Sequence, residues 1–429
     1  MKKRFLVGGL VIVLLVVAMV AVACGGEEAT TTTAGPATTA GPATTAGPVT
    51  TAAPSTDATV APTKTETIKF GVICSVTGVM APGFKAIYDS VGPTQELINS
   101  KGGFTVGDTQ YNLEIVAYDD QSTTAGAMTA INKLIGDGVK YLYAPMFMPN
   151  NLAIAQLCEE NKIIRIKSFG AGAIEVNPDN PFMFFSNSGV ENIDPFYDYA
   201  TAKYPDVKKI AIIAPDDPGG ATYIELIKAT IASHGLEEAY FELYPIGTED
   251  YYPILNKALA AKPDAIDVVY GIPPWTSSVI NQSRELGFTG PIFAPCTAGD
   301  SNIVKAMVKP EYLTDILSAA PDVYSDKMLP IVKELRALVD AQKTSWEMDS
   351  LHLLDAFTVI IQAIETAQSI DTEKVVAAID NGEMASFDTI YGPGAWGSHV
   401  EVYGNNHCGI KPLLMSVFKD GNIEFDFVQ

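Results

Sequence analysis

The chain has 429 residues, 47% of them hydrophobic, with 28 basic against 50 acidic side chains and a net charge of −22. That length exceeds one ordinary domain and suits two or three. So acidic a chain is excluded as a nucleic-acid binder, which needs clustered positive charge, and as a protein that docks on anionic headgroups through a basic patch.

Met1-Lys2-Lys3-Arg4 is a positive start, and Phe5 to Ala23 is an unbroken apolar run with small residues at its end. Residues 1–23 therefore read as an export signal. The run is also long enough to span a bilayer, so an uncleaved anchor is the alternative. Ala21-Val22-Ala23-Cys24 looks like a lipobox, with Ala21 where leucine is usual. Cleavage before Cys24 and lipidation of its thiol are the outcome this resemblance implies. One acyl chain holds a protein only marginally, so such an anchor needs more than one.

Residues 24–65 read as a tether. Ala-Thr-Thr-Ala-Gly-Pro recurs at Ala37–Pro42 and Ala43–Pro48, with no aromatics and hardly any large aliphatics. A segment of this composition has too little to bury to offset its ordering entropy. Thr and Pro stiffen it into an extended spacer.

From Thr67 the texture alternates between strand and helix patterns. Ile68–Ile73 reads as a strand, Lys85–Ser100 as one helix ended by Gly102-Gly103, and Tyr111–Tyr118 as a strand. Ala125–Ile135 reads as a helix, Tyr141–Tyr143 as a strand, Asn151–Asn161 as a helix and Ile163–Ile166 as a strand. The rhythm restarts with strands at Lys209–Ala214, Ala239–Tyr244, Ile266–Tyr270 and Pro291–Ala294. Helices at Ala221–His234, Tyr252–Ala261 and Ser277–Leu286 separate them. This predicts an α/β protein of two doubly wound, Rossmann-like lobes, with a ligand cleft at the carboxyl ends of the parallel strands. Helices at Lys327–Gln342, Ser350–Ala367 and Thr372–Asp380 are expected to pack back on the first lobe. Leu413–Phe418 and Ile423–Phe427 read as strands joined by the turn Asp420-Gly421.

Cys74, Cys158, Cys296 and Cys408 remain besides Cys24. Export permits disulfides, but four cysteines allow three connectivities and the spacing selects none. No HExxH, GxSxG, GxxxxGK[ST] or strand-following GxGxxG occurs, so neither an enzyme nor a cofactor is expected. His399, His407 and Cys408 have no strong metal-ligand spacing, and no metal site is expected. Asp119-Asp120 has the look of an acid/base pair, but a strand-end role is the expectation.

Several stretches occur together and in order. Ile68-Lys69-Phe70-Gly71-Val72 leads to Thr77-Gly78, and Ile98 to Gly103 precedes Tyr118-Asp119-Asp120-Gln121-Ser122. Leu286-Gly287-Phe288, Asp355-Ala356-Phe357 and Tyr391-Gly392-Pro393 follow. With these, residues from about Glu66 to Gln429 resemble the type I periplasmic binding proteins, in the leucine/isoleucine/valine-binding branch. The resemblance implies two lobes joined by a three-segment hinge, 66–187 plus 325–392 and 188–324 plus 393–429. It implies a monomeric, exported substrate-binding partner of an ABC permease that captures a small molecule and catalyses nothing. A ligand-sensing role through a separate receptor is the alternative on the same fold.

The same resemblance points to ligand contacts. After the third first-lobe strand it selects Met146, Phe147, Met148 and Asn150, and after the fourth Phe169, Gly170 and Ala171. In the second lobe it selects Gly219, Ile272 and Trp275, then Cys296 and Thr297. The family's anchoring serine falls on Met148 and its ammonium-binding acidic residue near Cys296. A buried ammonium without an acidic partner is costly, and Met, Phe and Trp favour apolar surface. The expected ligand is therefore apolar or aromatic, an aromatic or aliphatic carboxylate, rather than a zwitterionic amino acid; a true branched-chain amino acid or its amide is the alternative. Lys167, at a strand end, is a candidate to neutralise a carboxylate.

Overall fold

The computed structural model describes residues 62–170, 172–187, 189–216, 218–269, 271–295 and 301–428. The signal segment, Cys24 and the tether up to residue 61 lie outside them, as do Ala171, Cys296 and Thr297. Lys64 and Thr65, which composition assigns to the tether, already pair with Thr109 and Gln110.

The first sheet holds β1 (Lys64–Cys74), β2 (Phe104–Val106), β3 (Thr109–Asp119), β4 (Tyr141–Tyr143), β5 (Ile164–Lys167) and β6 (Met183–Phe185). Their order is β2-β3-β1-β4-β5-β6, all parallel except the hairpin strand β2. Phe70 to Cys74 are buried without a polar alternation, as a strand covered on both faces requires. Helices α1 (Ala81–Asp89), α2 (Val91–Ser100), α3 (Thr124–Gly136) and α4 (Met148–Glu160) make the connections. The single helix expected over 85–100 is two helices, broken at the fully buried Ser90. Pro93 is the cause: it has no N–H for the Asp89 carbonyl, and its ring would strike that carbonyl in a continuous helix.

The chain crosses to the second lobe after β6. There α5 (Ile193–Lys203) leads to β7 (Lys209–Pro215), α6 (Pro218–Ser233), β8 (Glu237–Tyr244), α7 (Tyr252–Ala260) and β9 (Ala265–Val268). Next come α8 (Pro273–Glu285), β10 (Ile292–Ala294), α9 (Ser301–Met307) and β11 (Ile316–Ser318). The three-residue β11 gives no readable pattern, because a strand that short and fully buried shows no periodicity.

The chain then returns. Helix α10 (Pro330–Gln342) packs on α2, and α11 (Asp349–Ala367) packs on α1 and under the first sheet, with α12 (Thr372–Asp380) on α11. Nearly every residue of α11 from Asp349 to Ile364 is buried, so it is a core helix rather than an amphipathic one. A small sheet of β12 (Ser386–Thr389), β13 (Gly392–Trp396) and β14 (Gly409–Ile410) follows, with α13 (Val400–Tyr403) inside it. This sheet stays with the first lobe. The Phe185 N–H donates to the His407 carbonyl at 2.9 Å, and Trp396 and His407 both pack on Phe184. The third crossing therefore falls near Lys411–Leu413, later than the expected 392/393, because residues 393–410 are hydrogen-bonded to the edge of the first sheet. Finally β15 (Leu413–Lys419) and β16 (Asn422–Val428) add antiparallel to β11, giving the order β16-β15-β11-β10-β9-β7-β8.

Cys74, Cys158 and Cys408 are buried free thiols. In the second sheet, the fully buried Asp267 of β9 accepts a hydrogen bond from the Tyr197 hydroxyl, and its second oxygen has no partner among the described residues.

Two stability measurements follow from this packing. Gly103 and Gly107 share a left-handed backbone, with φ of 65° and 60°, but a β-carbon on Gly103 would fall 1.9 Å from the Tyr111 carbonyl oxygen, while one on Gly107 meets nothing. Gly107→Ala should cost about 1 kcal/mol, the conformational penalty alone, and Gly103→Ala clearly more. Equal denaturation midpoints would contradict this geometry. Burial raises the Asp267 carboxyl from 3.8 to about 7, against the Tyr197 hydrogen bond, which lowers it. The fold then holds a proton here that the unfolded chain releases above about pH 4, so stability from this site falls as pH rises from about 4 to about 7. Relative to Asp267→Asn, the wild type should lose on the order of 4 kcal/mol across that window. Denaturant titration of both proteins from pH 4 to 8 reads it, and parallel curves would refute it.

Candidate functional site

In the first sheet the strand order reverses between β1 and β4, and in the second between β7 and β9. Loops leaving such neighbours diverge to opposite faces and open a crevice at the strands' carboxyl ends. The loops after β4 and β9, with the first turns of α4 and α8, carry Met146 to Asn150 and Ile272 to Trp275, so these candidates lie beside the two switch points.

Two adjacent carboxylates brace the first-lobe rim. Asp120, fully buried, accepts from the Ser75 hydroxyl at 2.7 Å, the Ser122 N–H at 2.8 Å and Asn150 Nδ2 at 2.8 Å. Asp119 accepts from the N–H groups of Val76, Thr77 and Gln121 and from the Thr77 hydroxyl. Burial tends to raise the Asp119 carboxyl, but these hydrogen bonds outweigh it and hold the group below the usual range. Both carboxylates are thus occupied in holding turns, which is the strand-end role expected of them.

The segments after β4 and β5 combine apolar side chains with a hydrogen-bonded support. Met146 and Met148 are buried and Phe147 half-buried. The Tyr143 hydroxyl donates to Met146 Sδ at 3.1 Å and lies 3.2 Å from Ser168 Oγ, tying the two strand ends together. Asn150 is fully buried with its amide nitrogen on Asp120, so it holds the start of α4 in place. Phe169 is buried, and Gly170 has φ of 86°, a turn that glycine adopts freely. Lys167 is not the free cation the strand-end position suggests. Its Nζ lies 3.0 Å from Glu175 Oε1, both side chains are fully buried, and the Lys167 ammonium also lies over the Phe185 ring. Burial pulls the Lys167 ammonium below its ordinary value and Glu175 opposes that pull. A charge so paired is spent inside the lobe.

In the second lobe, Ile272 caps α8, which has Pro273 and Pro274 in its first turn. Proline supplies the helical φ and no N–H, so this helix start lacks two of the donors a helix N-terminus usually presents. Trp275 is buried and meets Tyr244 edge-on at 5.9 Å, within the second-lobe core. Gly219 lies in the first turn of α6. One helical turn beyond it is Tyr223, fully buried, which sequence reading passed over although four residues separate the two on one helix face.

The lobes touch at two glycines. A β-carbon on Gly83 of α1 would lie 3.4 Å from Ile272 Cγ2. Gly189, at φ 84°, is pressed so close that a β-carbon would fall 2.6 Å from Phe169 Cε2 and 2.9 Å from the Tyr223 hydroxyl. Gly83 and Gly189 are missed in the sequence because closeness across a cleft has no local pattern. The late histidines are engaged separately, His399 with Glu401 and His407 with Asp380. Among the described residues no three metal-ligating side chains cluster.

A sequence profile of the periplasmic binding proteins matches residues 67–417. The leucine-, isoleucine-, valine-, threonine- and alanine-binding protein of Pseudomonas aeruginosa is 25% identical over 350 residues, covering 76% of this chain and 90% of that one. A Rhodopseudomonas palustris ABC-transporter solute-binding protein, solved with 4-hydroxybenzoate, superposes with a TM-score of 0.67 at 21% identity, over 85% of this chain and 96% of the other. The leucine-binding protein of Thermotoga maritima superposes with 0.65 at 21% identity, over 84% and 97%. Two wound sheets, a cleft at their switch points and a match spanning nearly all of the chain beyond the tether lead to one conclusion: this chain belongs to the periplasmic binding protein family.

Proposed function

We propose that this protein is the exported substrate-binding component of an ABC importer, tethered to the membrane through lipidated Cys24, and that it closes on a small, rather apolar or aromatic carboxylate. The observation that carries the reading is the contact of Gly83 with Ile272. It brings α1, which follows β1, to the start of α8, which follows β9, beside the two strand-switch points, with buried apolar side chains nearby. The lipobox-like run and the Thr/Pro-rich tether sequence support a membrane-held, outward-facing protein. The ligand class is supported by the walls: Met146, Phe147, Phe169 and Ile272 are apolar, Asp119 and Asp120 are saturated by turns, and Lys167 is neutralised by Glu175. The Rhodopseudomonas relative holds an aromatic acid on the same fold, while the Pseudomonas relative is named for aliphatic amino acids. The second reading, a branched-chain amino acid, therefore enters the same test.

Thermal-shift and calorimetric titration of the mature protein with benzoate, 4-hydroxybenzoate, 4-methylpentanoate, leucine and valine separates the two. Stabilisation by the simple carboxylates is expected; micromolar leucine or valine binding with none by the aromatic acids would overturn the apolar-acid reading. Closure is tested at Gly83. Gly83→Leu adds a side chain against Ile272 and should prop the lobes apart, weakening the best ligand at least about tenfold. X-ray scattering should show the variant staying open at a ligand concentration that compacts the wild type, and unchanged affinity and profile would remove Gly83 from the closing contact.

A further inference from the structure

We propose that Asn187, at the first crossing between the lobes, selects the ligand by a neutral group that both donates and accepts a hydrogen bond, such as a hydroxyl or a carboxamide. The proposal rests on the ligand-binding reading above and adds a residue that neither the sequence comparison nor the family pattern points to.

Asn187 follows β6 where the chain first crosses between lobes. Its predecessor Ser186 is fixed: the backbone N–H donates to the Lys167 carbonyl at 2.9 Å and the hydroxyl to Asp355 at 2.6 Å. Two residues on, Gly189 is wedged between the Phe169 ring of the first lobe and the Tyr223 hydroxyl of the second. Asn187 thus stands where the two lobes meet, next to a side chain already placed on the cleft wall. It is 0% exposed, and neither Oδ1 nor Nδ2 has a hydrogen-bond partner among the described residues. Asn150, a buried amide at the start of α4, differs in part, because its Nδ2 is held by Asp120 and only its Oδ1 has no partner among the described residues.

A buried amide with both ends unpaired is costly, and native proteins satisfy such groups almost always. The lobes are in contact here, so a guest held between them is the partner that closure would supply. The chemistry of that guest follows from the amide itself. A carboxylate only accepts and would face Oδ1 without a proton. An ammonium only donates and would face the Nδ2 hydrogens. A hydroxyl or a carboxamide answers both atoms at once. A site built to bond such a group rejects the analogue lacking it, since the amide is then left unpaired. On an apolar or aromatic acid, this places the polar substituent away from the carboxylate.

The test uses matched pairs on the mature protein: 4-hydroxybenzoate with benzoate, 4-carbamoylbenzoate with 4-methylbenzoate, and 2-hydroxy-4-methylpentanoate with 4-methylpentanoate. In the wild type at least one substituted member should bind about tenfold or more tighter than its partner. Asn187→Leu, close to isosteric, and Asn187→Ala should erase that ratio, chiefly by weakening the substituted member. Without ligand, Asn187→Leu should melt no lower than the wild type, because an unpaired amide is replaced by an apolar group. A ratio that persists in both variants overturns the proposal. So does a melting point about 5 °C or more lower in both, which would mean the amide is already satisfied in the empty protein. If the wild type binds no probe at all, the ligand reading fails first, a result distinct from binding that ignores Asn187.

Discussion

The cleft face of the first lobe depends on one buried carboxylate. Asp120 gathers three segments that the sequence keeps apart, the turn after β1 through Ser75, its own turn through Ser122, and the start of α4 through Asn150. These are the loops that surround the strand-switch point. A carboxylate with several short hydrogen bonds inside a lobe is a stiff joint, and loops around a binding crevice must be stiff to hold a guest in one pose. Asp119 repeats the device one residue earlier with the backbone after β1. The pair that looks like acid/base machinery is in fact the scaffold that positions the wall.

The hinge has its own buried polar joint. Ser186 at the first crossing donates to Asp355 of α11, and Lys411 at the third crossing reaches the same carboxylate at 3.6 Å while lying over the Tyr391 ring. Two crossings are thereby fastened to one core helix. Burial pulls the Lys411 ammonium below its ordinary value, and Asp355 and Glu191 resist that pull. Ion pairs of this kind add little net stability, but removing one partner leaves a stranded charge, so they act to specify an arrangement. Here the arrangement is where the chain turns from one lobe into the other. Bending is left to the segments between these fixed points, which is how a hinge concentrates its motion in a few residues.

On the second lobe the rim is governed by proline. Helix α8 opens with Pro273 and Pro274, and α6 opens with Pro218. Helix starts are usually where backbone N–H groups wait for an anion. Proline at these positions keeps the helix geometry and removes donors, so selectivity passes to side chains and to the fit of apolar surface. Lys167 leads to the same conclusion from the other lobe, since its charge is matched by Glu175 before any ligand arrives.

The sequence by itself determined the class of fold and which segments fall beside the two strand-switch points. Alternating strand and helix runs, read with the right period, dictate parallel sheets, and parallel sheets put loops at carboxyl ends, so Met146 to Asn150 and Ile272 to Trp275 could be located without coordinates. Long strands were readable by two different signatures: β1 is continuously buried from Phe70 to Cys74, whereas β3 alternates between buried and less buried residues from Thr109 to Glu114. The three-residue β11 and the small sheet were not, because they are shorter than any periodicity. The break at Ser90 is local chemistry, written in Pro93 and overlooked. What only the tertiary structure decided is which polar groups are used up and which are left over. Lys167 and the Asn150 amide nitrogen look available in the sequence and are taken by Glu175 and Asp120. Asn187 looks ordinary and is unpaired. Hydrogen bonds and charge pairs join residues far apart in the chain, and no run of neighbours carries that information.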